Sequence, residues 1–70
     1  MKDDERIYGL DYSFAPQFEE KIISQLDKLG LTWLHEGWID GEKEGTISGP
    51  KKALLKFQGA TPEMLFPLEP

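Results

Sequence analysis

Between Arg6 and Phe14 the chain alternates. Tyr8, Leu10, Tyr12 and Phe14 share one side, while Ile7, Gly9, Asp11 and Ser13 share the other. A period of two is that of an extended chain, so this segment reads as a strand with one buried face. From residue 16 the spacing changes. Phe18, Ile22, Leu26 and Leu29 recur at helical intervals, and Gln17, Glu20, Lys21, Ser24, Asp27 and Lys28 fill the opposite side. The pattern predicts an amphipathic helix over 16–29. Pro16 suits the first helical position, and Glu19 and Glu20 lie where the helix dipole favours anions. Gly30 follows Lys28 and Leu29 as a stop.

Leu31 to Ile39 is rich in Leu, Trp, Thr and Ile and predicts a second strand, with Gly37 marking a bulge or a close backbone approach. Asp40–Gly45 reads as a six-residue loop, after which Thr46-Ile47-Ser48 pairs back, giving a hairpin over 31–48. Gly49-Pro50 punctuates the chain. Ser48 or Gly49 as N-cap and Pro50 at the first position predict a short helix over 50–58, with Leu54 and Phe57 inward and Gly59 as its stop. Ala53, Leu55 and Phe57 also alternate, so a strand is the competing reading of the same residues. Beyond Gly59, Thr61-Pro62-Glu63 opens one helical turn, and Phe66-Pro67-Leu68 is held extended by its proline.

Together these segments predict a small single α+β domain in β-α-β-β-α order, one amphipathic helix packed on a three-stranded antiparallel or mixed sheet. That order resembles part of a ferredoxin-like or acylphosphatase-like domain, although no catalytic residue of those families can be placed here. Residues 1–5 read as a flexible acidic tail, 6–59 as the domain, and 60–70 as a proline-containing tail packed on it or offered to a partner.

Seventy residues make one domain near the lower limit for independent folding, so added burial from a partner or a homodimer would help. The chain has no cysteine, which removes disulfides, thiolate metal sites and cysteine nucleophiles, and suits a reducing, cytoplasmic setting. No apolar run reaches membrane-spanning length, and the acidic first residues do not form a signal peptide. The net charge of −5 is uneven, with a balance of −6 over residues 1–45 and +1 over 46–70. Such a field opposes direct binding to phosphate backbones and favours a basic protein partner or simple solubility.

Candidate chemistry centres on Asp40-Gly41-Glu42-Lys43-Glu44-Gly45-Thr46-Ile47-Ser48. Counted from Asp40, this stretch resembles an EF-hand loop, with Glu42, Glu44 and Ser48 at oxygen-ligand positions, Gly45 at the sixth position and Ile47 at the eighth. It departs at the twelfth position, where Lys51 replaces the closing carboxylate, and at the eleventh, which is Pro50. An acidic hairpin tip is the preferred reading, and no metal or other cofactor is expected. His35 stands alone, without the second histidine or cysteine of a zinc site and without a nucleophile elbow. The carboxylates fall in turns and on a polar helix face, the glycines match no phosphate-cradling loop, and Lys51, Lys52 and Lys56 make only a small basic patch.

No catalytic residue can be assigned, and an enzyme is not expected. What remains is an acidic and aromatic surface. Two tryptophans crowd a domain of this size, so Trp38, beside the acidic turn, is expected to be exposed. Trp38, Asp40, Glu42 and Glu44 are the candidate binding residues for a protein partner. Alternatives are an acidic inhibitor that mimics nucleic acid in a basic groove, and a degenerate calcium-binding loop.

Overall fold

The computed structural model describes residues 6–68. The predicted tail at 1–5, and the last two residues of the segment 60–70, lie outside the described residues. Strand β1 (Ile7–Phe14) leads through one 3-10 turn, Pro16–Phe18, into helix α1 (Glu19–Leu29). Strands β2 (Thr32–Ile39) and β3 (Glu42–Pro50) form a hairpin. A short helix, α2 (Lys51–Leu55), and a second 3-10 turn, Pro62–Met64, lead to strand β4 (Leu65–Pro67).

The fold is α+β, in the predicted order, with one main helix. The sheet has four strands rather than three, in the order β2-β3-β1-β4, and every neighbouring pair is antiparallel. The extra strand comes from the proline-containing end, where Leu65, Phe66 and Pro67 pair with Leu10, Gly9 and Tyr8. Two β-α-β units are thereby interleaved, each with a strand of the other between its own pair, which is the split arrangement of ferredoxin-like folds.

Register explains the core. Leu10 pairs with Ile47, which also pairs with Trp33, so one face carries Leu10, Ile47 and Trp33 across three strands. Leu26 of α1, Leu31, Leu54 of α2 and Phe57 close over that face, and all four are buried with Leu10 and Ile47. Tyr12 meets Phe57 edge-on at 5.0 Å between ring centres, and Phe14 lies 5.0 Å from Trp33. Burying one such side chain contributes about 1.5–3 kcal/mol, so this layer supplies the main driving force for folding.

Helix α1 ends as its sequence requires. Gly30 has φ 74°, its N–H bonds to Asp27 O, and the N–H of Leu31 bonds to Leu26 O at 2.8 Å. This is a Schellman stop, with Leu26 and Leu31 meeting in the core. The start of the helix differs from expectation. Residues 16–18 wind as a 3-10 turn, and Phe18 is 48% exposed instead of buried. It stands ahead of the first α-helical turn and lines an open groove beside Phe14, Ile22 and Phe57 without being covered.

Two further boundaries are corrected. Pro50 closes β3 in an extended conformation (φ −63°, ψ 146°) and caps α2, instead of opening the helix. The competing strand at 53–57 does not form: Leu54 is fully buried and Leu55 is exposed, the result of a helical twist. The hairpin also turns more tightly than predicted. Ile39 pairs directly with Glu42, so only Asp40 and Gly41 lie between the strands. Both have positive φ, 50° and 81°, as a type I′ turn demands and as Asp-Gly supplies. Glu42 and Glu44 therefore belong to β3 and not to a loop.

Candidate interaction surface on the outer hairpin

The tip of the β2–β3 hairpin projects beyond the core, and the pleat sorts its side chains. Trp38 pairs with Lys43, and Lys43 pairs with Phe14 of the core face, so both belong to the helix side of the sheet. Lys43 Nζ lies 5.9 Å from the Trp38 ring centre, within cation–π reach, and 2.7 Å from Glu19 Oε1 in the first turn of α1. Among the described residues this is the one ion pair, and it ties the hairpin to the helix. With the Glu19 carboxylate 43% exposed, the pair contributes at most about 1 kcal/mol. His35 also meets the Trp38 ring edge-on at 5.6 Å, and its Nε2–H donates to the Gly37 carbonyl at 2.9 Å. Trp38 is braced by these neighbours and is still 57% exposed.

Glu42 and Glu44 point the other way. Glu44 pairs with Gly37 and with Ser13, and Glu42 pairs with Ile39, all on the back of the sheet. Ser13 Oγ–H donates to Glu42 Oε1 at 3.2 Å, and Thr46 Oγ1–H donates to Glu36 Oε2 at 3.1 Å. The single acidic and aromatic face expected from sequence is thus divided by the sheet. Trp38 lies on the helix side, Glu42 and Glu44 on the back, and Asp40 between them at the turn.

Sequence reasoning passed over Leu34 and Ile39, which are 59% and 48% exposed on the back of β2. Alternation hid a signal for Leu34, because the burial of Trp33 places its neighbour on the other face. The bulge conceals the case of Ile39. Register shifts between His35 and Gly37, so Glu36 is the extra residue and every later side chain changes face. Gly37 does mark that irregularity, as its position suggested.

The same geometry bears on the cation-loop resemblance. Residues 42–50 form a straight strand hydrogen-bonded on both sides, so Glu42, Glu44 and Ser48 do not wrap around a point as EF-hand ligands do. No three His, Asp or Glu side chains among the described residues converge as a metal-holding group. Nor does any described helix have the length and apolarity to cross a membrane.

One groove of about 340 Å³ lies on the helix side, between α1, the end of β1 and Phe57-Gln58. Phe14, Phe18, Ile22 and Phe57 line it, together with Lys21, Gln25 and Glu42. Comparison with protein-family models, with curated proteins and with solved structures returned no match for this chain. The site is therefore read from its own geometry. An outer strand with bare apolar side chains, a braced aromatic ring and surrounding carboxylates has the makings of a binding surface.

Proposed function

We propose that this chain is a small, acidic, non-enzymatic protein-interaction module that engages a basic partner protein through the outer β2–β3 hairpin. The observation that carries the reading is the concentration of Leu34, Trp38 and Ile39, all about half exposed or more, on the one hairpin that also carries Glu36, Asp40, Glu42 and Glu44. Aromatic anchors supply most binding energy at such surfaces, and the charges steer encounter and choose the partner. Lys43 does not offset the carboxylates, because Glu19 already neutralises it. An acidic chain without cysteine suits a cytoplasmic partner. An inhibitor that fills a basic groove is a special case of the same surface.

The test compares proteins captured from cell extract by the wild type, by Trp38→Ala, and by a triple variant with Asp40, Glu42 and Glu44 each changed to Lys. A partner that grips this hairpin from both sides is lost or weakened about 30-fold by Trp38→Ala, the effect of a hot-spot truncation of about 2 kcal/mol. The triple variant slows association and removes its salt dependence. Capture of the same proteins at unchanged affinity by both variants would overturn the proposal.

A further inference from the structure

Helices α1 and α2 both pack on the side of the sheet that carries Leu10 and Ile47, which leaves the back without a helix. The back has apolar ground at both edges. Leu34 stands exposed on β2. At the opposite edge Phe66 and Leu68 lie over Gly9, with side-chain atoms 2.8 and 3.1 Å from where its Cβ would stand. Between these edges β3 offers only the small side chains of Thr46 and Ser48. Three carboxylates border this band on the side toward the hairpin turn. Asp11 pairs across from Thr46, Glu36 accepts from the Thr46 hydroxyl, and Glu44 lies beside Gly37. No cation of the sheet answers them, because Lys43 is the only lysine or arginine in the four strands and it faces the helices.

Resting on the basic partner proposed above, we infer that the back of the sheet binds a basic amphipathic helix of that partner, laid across the strands from the Leu34 edge to the Phe66 edge. Charge selects the occupant. Carboxylates without cations repel a nucleic-acid backbone, an anionic lipid surface and the same face of a second copy, and they attract lysine and arginine. Backbone chemistry selects its form. The face of a sheet presents side chains, since its N–H and C=O groups are spent within the ladder. A segment lying on that face must therefore satisfy its own backbone groups, which a helix does.

Spacing sets the length. Leu34 and Phe66 are three strands apart, about 14 Å, and one pleat repeat apart along the strands, about 7 Å, which places them about 16 Å from each other. About eleven residues of helix cover that distance, at about 1.5 Å each. Apolar residues at i and i+11 share one stripe and reach both edges, and those at i+4 and i+7 lie over Thr46 and Ser48. Lysines on the flank of the stripe nearer the turn then meet Asp11, Glu36 and Glu44.

The probe is a synthetic helix-forming peptide of about 18 residues, with leucines at i, i+4, i+7 and i+11 and lysines along one flank. Its control has the same composition with the leucines scattered around the helix. Titration into the full chain at physiological salt is followed by circular dichroism and by backbone NMR signals. The amphipathic peptide is expected to become helical on binding and to weaken about fivefold or more with Asp11→Lys and with Leu34→Ser. Asp27→Lys makes the same charge change on α1, across the molecule, and is expected to leave affinity within about twofold, because salt screens charges beyond about 8 Å. Asp11, Asp27 and Leu34 are all exposed, and an unchanged unfolding midpoint confirms that each variant is folded. Trp38→Ala leaves the peptide unaffected, since that ring lies on the helix side. Absence of binding, equal binding of the scattered control, or equal weakening by Asp27→Lys would overturn the inference. The hairpin reading fails separately, by capture of its partner at unchanged affinity by Trp38→Ala and by the lysine variant of the turn.

Discussion

Gly45 shows how far one residue can depend on its surroundings. Its φ is ordinary, so no backbone conformation demands glycine there. What demands it is space. A Cβ at this position would overlap the Leu34 carbonyl oxygen and come within 2.9 Å of the Trp33 ring. The absent side chain makes room for the indole, whose ring lies 5.0 Å from that of Phe14. Gly37, on the neighbouring strand, has open room, with nothing nearer than Glu44 Oε1 at 4.0 Å. Gly45→Ala is therefore expected to cost about 1–3 kcal/mol, and Gly37→Ala to stay within about 0.5 kcal/mol. Urea unfolding followed by tryptophan fluorescence measures both, and equal losses would refute the packing argument. In the sequence, Gly45 reads as the end of an acidic turn. Its true role depends on Trp33, twelve residues earlier, and no local pattern links the two.

Elements were legible where their signals are local. The helix was marked by its spacing, by Glu19 and Glu20 at its start and by Gly30 at its end, and all of these operate within a turn or two of the chain. The second helix was legible through Leu54 and Phe57, which are buried as expected, but it ends at Leu55 with Lys56 as its cap, short of the predicted 50–58, and Gly59 is not its stop. The hairpin turn was missed for a chemical reason. Asp-Gly is a strong two-residue turn signal, but the glycine at position 45 and the run of carboxylates suggested a longer loop. The observed turn makes a clear expectation. Gly41 has φ 81°, so Gly41→Ala should lower stability by about 1 kcal/mol, while Asp40→Asn should be near neutral because Asn-Gly suits the same turn. Thermal unfolding of both variants checks it, and an unaffected Gly41→Ala would mean that the turn contributes little to hairpin stability.

At the scale of the molecule, the end of the chain completes the sheet. β4 pairs with only three residues of β1, yet Leu65 joins the core cluster and the Phe66 ring lies over Gly9, 2.8 Å from where a Cβ would stand. The N–H of Leu68 bonds to Ile7 O at 3.0 Å and extends the contact. Ending the chain at Gly59 uncovers Leu10 and the flank of β1. It is expected to cost about 2 kcal/mol or more, a fall in melting temperature of about 8 °C or more. Calorimetry of the shortened chain against the full one tests this, and an unchanged midpoint would show β4 to be a passive edge.

Periodicity, caps and breakers act over a few residues, so the sequence by itself determined the strand read at 6–14, the helix, the two strands of the hairpin and their order along the chain. It also determined the charge and the lack of cysteine. Tertiary structure alone decided the rest: that β4 makes a fourth strand, that Phe18 lies outside the core, and that Trp38 and the carboxylates of Glu42 and Glu44 occupy opposite faces. Each depends on register between distant segments. A shift of one residue at Glu36 exchanges the faces of everything after it, and only pairing with β3 shows where that shift falls.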